Sequence, residues 1–484
     1  MKIPILSLSK SSIKSSSSNS ANNSSLLHSQ TQTPYQHLRS LFLSLELMGN
    51  ERTAAVYSSA HTRKPPSPGE NTPLLGGGRP RSSQAKTFAN VFISIVGAGV
   101  LGLPYAFKRT GWVMSLMMLF CIAAVTYYCM MLLVYTRRKL VADGSSEINS
   151  FGDLGFTICG SSGRMIVDIL IILAQTGFCV GYLVFIGNTM STLFNSSSKA
   201  LGSDFLGASP KILYIIGCLP FQLGLNSIKS LTHLAPLSIF ADVVDLGAMG
   251  VVIVEDVSVF LKNRPPVEAF GGLSVFFYGM GVAAYAFEGI AMILPLESEM
   301  KDRDQFGKIL GSSMAFIAAL YGGFGVLGYF AFGQETSDVI TSNMGPGLLS
   351  AIVKLGLCIN LFFTMPLMMN PAYEIIERRF SRGRYCVWLR WLLVVLATLV
   401  AMWVPNFTDF LSLVGSGLCC SLGFVLPAFF HLLVFKEEMG WKGWCVDLFI
   451  VVSGIVLGVA GTVSAVEQMY FAKETSSISA YKWK

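Results

Sequence analysis

The chain has 484 residues, of which 52% are hydrophobic and only 13% are charged. Soluble proteins carry roughly 25% charged residues, so this composition excludes a soluble globular protein and predicts a polytopic membrane protein. The net charge of +7 does not indicate a nucleic-acid-binding protein. The basic residues lie mostly in short loops beside apolar segments, where they orient membrane spans.

The ten cysteines lie almost entirely inside apolar segments, without a CxxC pair and without the spacing of metal ligands. We therefore expect small buried thiols, no metal site, no cofactor and no disulfide framework. An enzyme is not expected either, because no segment combines a nucleophile with a base, a cluster of metal ligands or a phosphate-binding loop.

Residues 1–85 are rich in Ser, Asn, Gln and Pro, a composition that cannot bury a core. We predict a disordered cytoplasmic tail. Its first 47 residues resemble a transit peptide, and the preferred alternative is sequence upstream of a start at Met48, where MGNERT matches the N-myristoylation pattern. The segment ENTPLL resembles an acidic dileucine sorting signal, so Glu70, Leu74 and Leu75 are expected to contact a sorting adaptor.

Eleven apolar segments are long enough to cross a hydrocarbon core of ~30 Å. They lie at about 87–107, 112–136, 164–194, 211–228, 231–254, 271–296, 307–333, 346–372, 385–404, 406–432 and 443–470. Pro220, Gln222 and Asn226 interrupt the fourth segment, so ten or twelve spans remain alternatives. Residues 145–163 are too short and polar to span and are expected to form an amphipathic or re-entrant linker. The membrane domain is predicted at residues 86–470, with a short lumenal tail at 471–484.

The basic residues predict how the spans are oriented. They concentrate at one set of span ends, which carries Arg79, Arg81, Lys86, Arg137, Arg138, Lys139, Lys301, Arg303, Lys308, Arg378, Arg379, Arg382, Arg384, Lys436 and Lys442. The positive-inside rule places these ends and the N-terminus in the cytosol, and the C-terminus, after an odd number of spans, outside or in an organelle lumen. Asn195 then lies in a non-cytoplasmic loop as a candidate glycosylation acceptor.

The first span, within TFANVFISIVGAGVLGLPYAFKRTG at residues 87–111, is interrupted by Gly97, Gly99, Gly102 and Pro104. Glycine weakens a helix and proline removes a backbone donor. Irregular backbone survives at membrane depth only where it is buried in protein or lines a cavity. The stretch predicts either a helix broken at a binding site or close helix packing through small residues.

The sixth span, GGLSVFFYGMGVAAYAFEGIAMILP, is interrupted in the same way by Gly279, Gly281 and Gly289. Corresponding interruptions in two halves of a chain indicate an inverted-repeat transporter with its substrate at the membrane midplane. The two repeats, at about 87–256 and 271–432, each contain five spans and therefore have opposite topology. The eleventh span is expected to be peripheral.

A charged residue inside a span is a functional hypothesis by default. Glu288 lies well inside the sixth span, and Asp242 and Asp245 share one helix face in the fifth, where a purely structural burial is equally expected for Asp242. Glu297 and Glu299 lie at a span end and are expected to be solvated. No histidine lies at the midplane, so a carboxylate would carry coupled protons. We expect Glu288 in this role, with Asp245 as the alternative.

The segments GAGVLGLPYAFKRTGW at 97–112 and AYAFEGIAMILPLESEM at 284–300 resemble the amino acid/auxin permease family. Within it, the resemblance is strongest to the plant and fungal vacuolar transporters and the animal proton-assisted lysosomal transporters, and it covers residues 80–470. It implies an all-helical LeuT-like fold with broken helices 1 and 6, and proton-coupled export of small neutral amino acids from the vacuole to the cytosol. Animal relatives carry a histidine where this chain has Asn90, so histidine-based coupling is not implied.

Carried over onto this chain, the resemblance implies that residues 96–101 offer backbone groups to the substrate and that residues 285–289 form the facing break. The expected substrate-binding residues are Val96, Gly97, Ala98, Gly99, Val100, Leu101, Tyr182, Tyr285 and Phe287. Their side chains are apolar or aromatic, which favours small neutral amino acids. The alternative function is an amino-acid sensor with the same fold.

Overall fold

A computed structural model of the protein describes residues 82–481, except 146–147, 199–208, 230–234 and 273–274. The sorting signal at Glu70, Leu74 and Leu75 lies outside the described residues, as does most of the predicted tail. The side chain of the predicted glycosylation acceptor Asn195 is likewise outside the described part.

Eleven helical spans follow one another in the described part of the chain, at the predicted positions. The first five are the pair α1 (Gln84–Ile95) and α2 (Leu103–Thr110), then α3 (Trp112–Ala142), α4 (Phe151–Ser198), α5 (Pro210–Asn226) and α6 (Ala235–Asn263). The next five are the pair α7 (Phe276–Ala286) and α8 (Ile293–Glu299), then α9 (Phe306–Phe332), α10 (Leu348–Phe380), α11 (Val387–Trp403), and the pair α12 (Phe407–Val414) and α13 (Leu426–Val434). The last is α14 (Trp441–Tyr481).

Hydropathy and length support these spans. Among the described residues, seven helical segments and one bent pair are long and apolar enough to cross a membrane. The other three predicted spans are α6, which has 29 residues, and α5 and α11, which have 17 each. A helix of 17 residues is about 26 Å long, close to the lower limit for a span. The predicted fourth span is thus a helix at this lower limit, with Pro220 inside it.

Both predicted breaks are present. The first span bends by 49° between Gln84–Ile95 and Ala98–Thr110, because Val96 and Gly97 are extended and a 3₁₀ turn, Ala98–Gly102, follows them. Pro104 lies in the first turn of α2, where its missing N–H has no helical partner to lose. In the sixth span α7 ends at Ala286, and a 3₁₀ turn, Ile290–Met292, precedes α8.

The predicted linker before the third span is a short amphipathic helix. Residues 151–159 continue into α4, but Gly160 has φ 64° and ψ −151°, which is not helical and lies in the region that favours glycine. Phe151 and Leu154 are buried, whereas Phe156 is 51% exposed. Phe151 packs edge-on against Phe430 of α13, with the ring centroids 6.0 Å apart.

The sixth and tenth spans meet backbone to backbone. A Cβ atom added to Gly415, in the π-helical turn Gly415–Cys419, would lie 1.9 Å from the carbonyl oxygen of Gly281 in α7. A Cβ atom added to Gly281 would lie 2.6 Å from the carbonyl oxygen of Ser412. The glycines are therefore required by the contact between these spans, which fixes α7 beside the break of the sixth span.

We expect Gly415→Ala to lower the free energy of unfolding by about 1–3 kcal/mol, the usual cost of overpacking a close contact. The matched control is Gly423→Ala in the neighbouring π-helical turn, because a Cβ atom there meets nothing within 4 Å. Thermal unfolding of the two purified variants measures the difference. Equal melting temperatures for Gly415→Ala and the parent would contradict the close contact.

Candidate functional site

The break of the first span leaves backbone donors without helical acceptors. The N–H of Val96 donates to the Phe92 carbonyl at 2.9 Å, and the N–H of Val100 donates to the Gly97 carbonyl at 3.3 Å. The N–H groups of Ala98 and Gly99 lie between these bonds, at the start of the 3₁₀ turn, where a helix has no internal acceptor. Such a helix start carries partial positive charge, which suits a carboxylate.

Gly97 faces open space. A Cβ atom added to it would meet no heavy atom within 4 Å, although the residue lies in the middle of the broken span. Its backbone is extended, with φ −161° and ψ −164°, a conformation that any residue adopts. Open space therefore lies at Gly97, next to the N–H groups of Ala98 and Gly99.

The second break forms the opposite wall. A Cβ atom added to Gly99 would lie 3.0 Å from the Tyr285 ring and 3.3 Å from the Cα of Ala286. The Tyr285 ring packs edge-on against Phe178 of α4, with centroids 5.1 Å apart. The Tyr285 hydroxyl faces α4 at Gly181, where an added Cβ atom would lie 3.3 Å from it, and Tyr182 is the next residue of this helix. The predicted residues Gly99, Tyr182 and Tyr285 thus meet at one place.

The side chains of the remaining predicted binding residues are largely buried. The side chains of Ala98, Val100 and Leu101 are buried in the core, and Val96 is half-buried. Phe287 is also fully buried, and it packs against Tyr321 of α9, with ring centroids 5.3 Å apart.

Tyr321 is a site residue that no feature of the sequence identified, because a single tyrosine in an apolar span looks like core. Its hydroxyl donates to the Ile95 carbonyl at 3.3 Å, and the N–H of Gly97 lies near the same hydroxyl. Tyr321 therefore caps the end of α1. The Gly97 N–H belongs to the set expected to bind substrate, but it lies beside the Tyr321 hydroxyl, so the N–H groups of Ala98 and Gly99 are the better candidates.

Glu288 lies inside the second break, as its sequence position suggested, and is half-buried. The N–H groups of Gly289 and Ile290 and the Cys419 thiol lie near its carboxylate. The two backbone donors start the 3₁₀ turn that leads into α8, and a helix start stabilises a carboxylate. Cys419 reaches Glu288 from the π-helical turn of the tenth span.

Asp245, the alternative proton-coupling residue, is half-buried on α6. It lies close enough to Tyr321 for its charge to act on the Tyr321 hydroxyl. Asp245 is therefore connected to the first break through Tyr321, whereas Glu288 lies in the second break itself. The side chain of Asp242 lies outside the described part of the structure.

A further carboxylate of α6, Asp256, was not identified from the sequence. It is 1% exposed, and its Oδ2 atom has no hydrogen-bond partner among the described residues. A Cβ atom added to Gly328 of α9 would lie 3.3 Å from this oxygen and 2.7 Å from the ring of Pro104. Asp256 thus lies where α6, α9 and the second half of the first span meet.

The two broken spans are tied together where α1 begins, at the end of the bundle that we call the N-face. The N–H of Ser82 donates to the Glu299 carbonyl at 2.9 Å, and the N–H of Lys301 donates to the Ser82 carbonyl at 3.1 Å. Glu297 of α8 is 1% exposed and accepts hydrogen bonds from Arg137 at 2.6 Å and Arg138 at 3.0 Å. The expectation that Glu297 is solvated is wrong, because the two arginines of α3 compensate its buried charge.

We expect Glu297→Gln to lower the free energy of unfolding by about 3–5 kcal/mol, because it leaves the buried Arg137 without its charged partner. The control is Asp304→Asn, which removes an exposed carboxylate 3.9 Å from Arg138 and should change stability by less than about 1 kcal/mol. Thermal unfolding in detergent compares the two. Similar melting temperatures for both variants would contradict a structural role for Glu297.

On the opposite face, a loop covers the first break. The 3₁₀ turn Ile340–Asn343, between α9 and α10, contacts the 3₁₀ turn Ala98–Gly102 and α4. Val339, Ile340 and Thr341 are fully buried in this contact. The loop is therefore packed against the first break on the face opposite the N-face.

Three comparisons identify the family. Residues 80–471 match the family model described as transmembrane amino acid transporter protein. The amino acid transporter AVT3C of Arabidopsis thaliana is 64% identical over 437 residues, which are 88% of this chain and 100% of that protein. The vacuolar amino acid transporter 3 of Schizosaccharomyces pombe is 30% identical over 384 residues, which are 77% of this chain and 56% of that protein.

The fold has a solved counterpart. The structure of Mhp1, a nucleobase-cation-symport-1 family transporter in a closed conformation with bromovinylhydantoin bound, matches with a TM-score of 0.51. The match covers 82% of this chain and 94% of that one at 14% identity, and so concerns the fold alone. It confirms the predicted LeuT-like arrangement of two five-span repeats and one peripheral span. The chain is a transporter and not an enzyme, and it belongs to the amino acid/auxin permease family of transmembrane amino acid transporters.

Proposed function

We propose that the protein is a secondary active transporter that exports small neutral amino acids, together with protons, from the vacuole lumen to the cytosol. The observation that carries this proposal is the pairing of the free N–H groups of Ala98 and Gly99 with open space at Gly97, opposite Tyr285. An amino acid offers a carboxylate to such donors, and the midplane between two broken helices is where transporters of this architecture bind substrate.

The lining supports a neutral side chain on the substrate. Tyr182, Tyr285 and Phe178 form an aromatic wall, and Val96 is aliphatic. We infer that the Glu288 carboxylate is directed toward the N–H groups of Gly289 and Ile290 and the Cys419 thiol, and not toward the side chain of the substrate. A lysine or arginine substrate would therefore leave its charge without a partner, which is costly away from water.

The basic residues support an N-face in the cytosol. Several of them form ion pairs at this end of the bundle: Arg137 and Arg138 with Glu297, Arg378 with Asp168, and Lys139 with Glu438. The positive-inside rule then orients the opposite face, with its covering loop, toward the lumen. The name of the yeast relative and the ENTPLL segment favour the vacuolar membrane, with a sorting adaptor bound at Glu70, Leu74 and Leu75.

Flux measurements test the proposal. Vacuole vesicles containing the protein should release labelled alanine when a pH gradient is applied, and excess unlabelled lysine should compete poorly. Saturable amino-acid binding without flux would instead support the alternative function, an amino-acid sensor. Competition by lysine as strong as that by alanine would contradict neutral selectivity.

A further inference from the structure

Asp338 joins three parts of the protein on the face opposite the N-face. It lies in the loop of residues 333–347, outside the spans. Its carboxylate accepts hydrogen bonds from the N–H of Phe407 at 3.1 Å, the N–H of Val339 at 3.0 Å and the Asn188 amide at 3.4 Å. Its main-chain oxygen accepts the Thr408 hydroxyl at 2.6 Å. The loop is therefore attached to α4 and to the start of α12 through one residue.

The attached loop is the one that covers the first break. Val339, Ile340 and Thr341 directly follow Asp338 and are fully buried, and their 3₁₀ turn contacts the turn Ala98–Gly102. A substrate that enters from this face can reach the N–H groups of Ala98 and Gly99 only after the loop has moved. The hydrogen bonds of Asp338 therefore influence whether the loop is open or closed over the site.

Charged and titratable groups approach Asp338 from each neighbouring element, but each has another partner. Lys211 of α5 donates to the carbonyls of Val404 at 2.8 Å and Pro405 at 3.2 Å. Asp409 of α12 accepts hydrogen bonds from Tyr278 at 2.9 Å and Asn406 at 2.8 Å.

From α2, Lys108 donates to the Thr336 carbonyl at 3.0 Å, and the Tyr105 hydroxyl lies within electrostatic reach of Asp338. Among the described residues, no cationic side chain lies within 4.0 Å of the Asp338 carboxylate, so none forms an ion pair with it. Its carboxylate is thus held by neutral donors.

We propose that Asp338 is a proton-binding residue of the transport cycle, loaded from the lumen, and that its protonation favours closure of the loop over the substrate site. The inference rests on the proposed orientation and deepens the proposed function. Besides the proton-binding carboxylates proposed near the midplane, the transport cycle would then use a second proton-binding position at the lumenal entrance.

The direction of the effect follows from linkage. In the closed loop, burial raises the pKa of the Asp338 carboxyl, and Asp409 adds to the rise, while the Phe407 N–H and the Lys211 charge oppose it. With the loop open to water, the pKa returns toward its ordinary value of about 3.9. The closed state thus binds the proton more tightly, so acid favours closure. The stability that the proton adds to the closed loop is fully present below the ordinary pKa and is lost as the pH rises through the raised pKa.

Cysteine accessibility measures the loop directly. The full-length protein with Ile340→Cys, a buried position of the loop, is labelled from the lumenal side with a membrane-impermeant thiol reagent at a series of lumenal pH values. Glu335→Cys, an exposed position of the same loop, corrects for the pH dependence of thiol reactivity. The corrected labelling rate should fall several-fold from neutral to acidic pH, by up to about tenfold for each unit by which closure raises the pKa.

Two further variants separate proton binding from a structural role. Asp338→Asn keeps an acceptor oxygen for the Phe407 N–H but cannot titrate, so its corrected labelling should not depend on pH. Lys211→Gln removes a charge that stabilises the ionised carboxylate, so its labelling midpoint should move to higher pH. A purely structural Asp338 would not produce this shift.

A pH response that persists in Asp338→Asn, or an unchanged midpoint in Lys211→Gln, would overturn the inference. Absence of gradient-driven flux in the unmodified protein would instead contradict the proposed function. The labelling response is measured without flux, so the two failures are distinguishable.

Discussion

Gly97→Leu is expected to reduce amino-acid transport to the level of empty vesicles while the protein remains folded. The extended backbone of Gly97 accepts any residue, and a Cβ atom added there meets no protein atom within 4 Å. We therefore expect the leucine side chain to enter the space beside the N–H groups of Ala98 and Gly99 and to exclude the substrate.

Gly217→Leu is the matched control for this experiment. Gly217 lies on the exposed side of α5, and a Cβ atom there also meets nothing within 4 Å. The Gly217→Leu variant should transport amino acids at the level of the parent protein. Gly99→Leu is less informative, because its side chain would collide with Tyr285 and disturb packing as well as binding. Normal transport by a correctly inserted Gly97→Leu would place the substrate site elsewhere.

The breaks were predictable from sequence because the membrane penalises irregular backbone. Glycines and a proline inside an apolar segment indicate either a broken helix or close helix packing at membrane depth. Glycines at the corresponding place in the sixth span favour a broken helix, because matching interruptions in two halves of a chain are typical of inverted-repeat transporters. The bend at Val96 and Gly97 and the break before Ile290 confirm the prediction. The same reasoning identified Glu288, since a carboxylate inside a span needs donors, and the broken backbone supplies them.

The partners of these groups could not be predicted, because they come from distant parts of the chain. Tyr321 caps α1 across 226 residues, and Arg137 compensates Glu297 across 160. Each of these residues has an ordinary local explanation as core or as a span-end charge. Which of them approach a break depends on how the two repeats pack, and that information is not local. The Tyr321 hydroxyl at the end of α1 and the buried Glu297 are the two results of this packing that the sequence did not predict.

Glu288→Gln is expected to abolish accumulation driven by a pH gradient while amino-acid exchange continues. Glutamine keeps an oxygen that can face the N–H groups of Gly289 and Ile290, so the second break should retain its shape. It cannot take up or release a proton. For one proton per amino acid, a difference of one pH unit supports a concentration ratio of about tenfold, and in the variant this ratio should fall to one.

The measurement pairs two assays on the same vesicles: net flux of labelled alanine under a pH gradient, and alanine exchange without one. Asp245→Asn makes the same change of charge on α6 and is the control. Since Asp245 lies within α6 and not in a break, gradient-driven flux should survive there. Flux that persists in Glu288→Gln but fails in Asp245→Asn would move the coupling role to Asp245. A requirement for sodium in either assay would exclude proton coupling, because the driving ion would then be a metal cation bound by other groups.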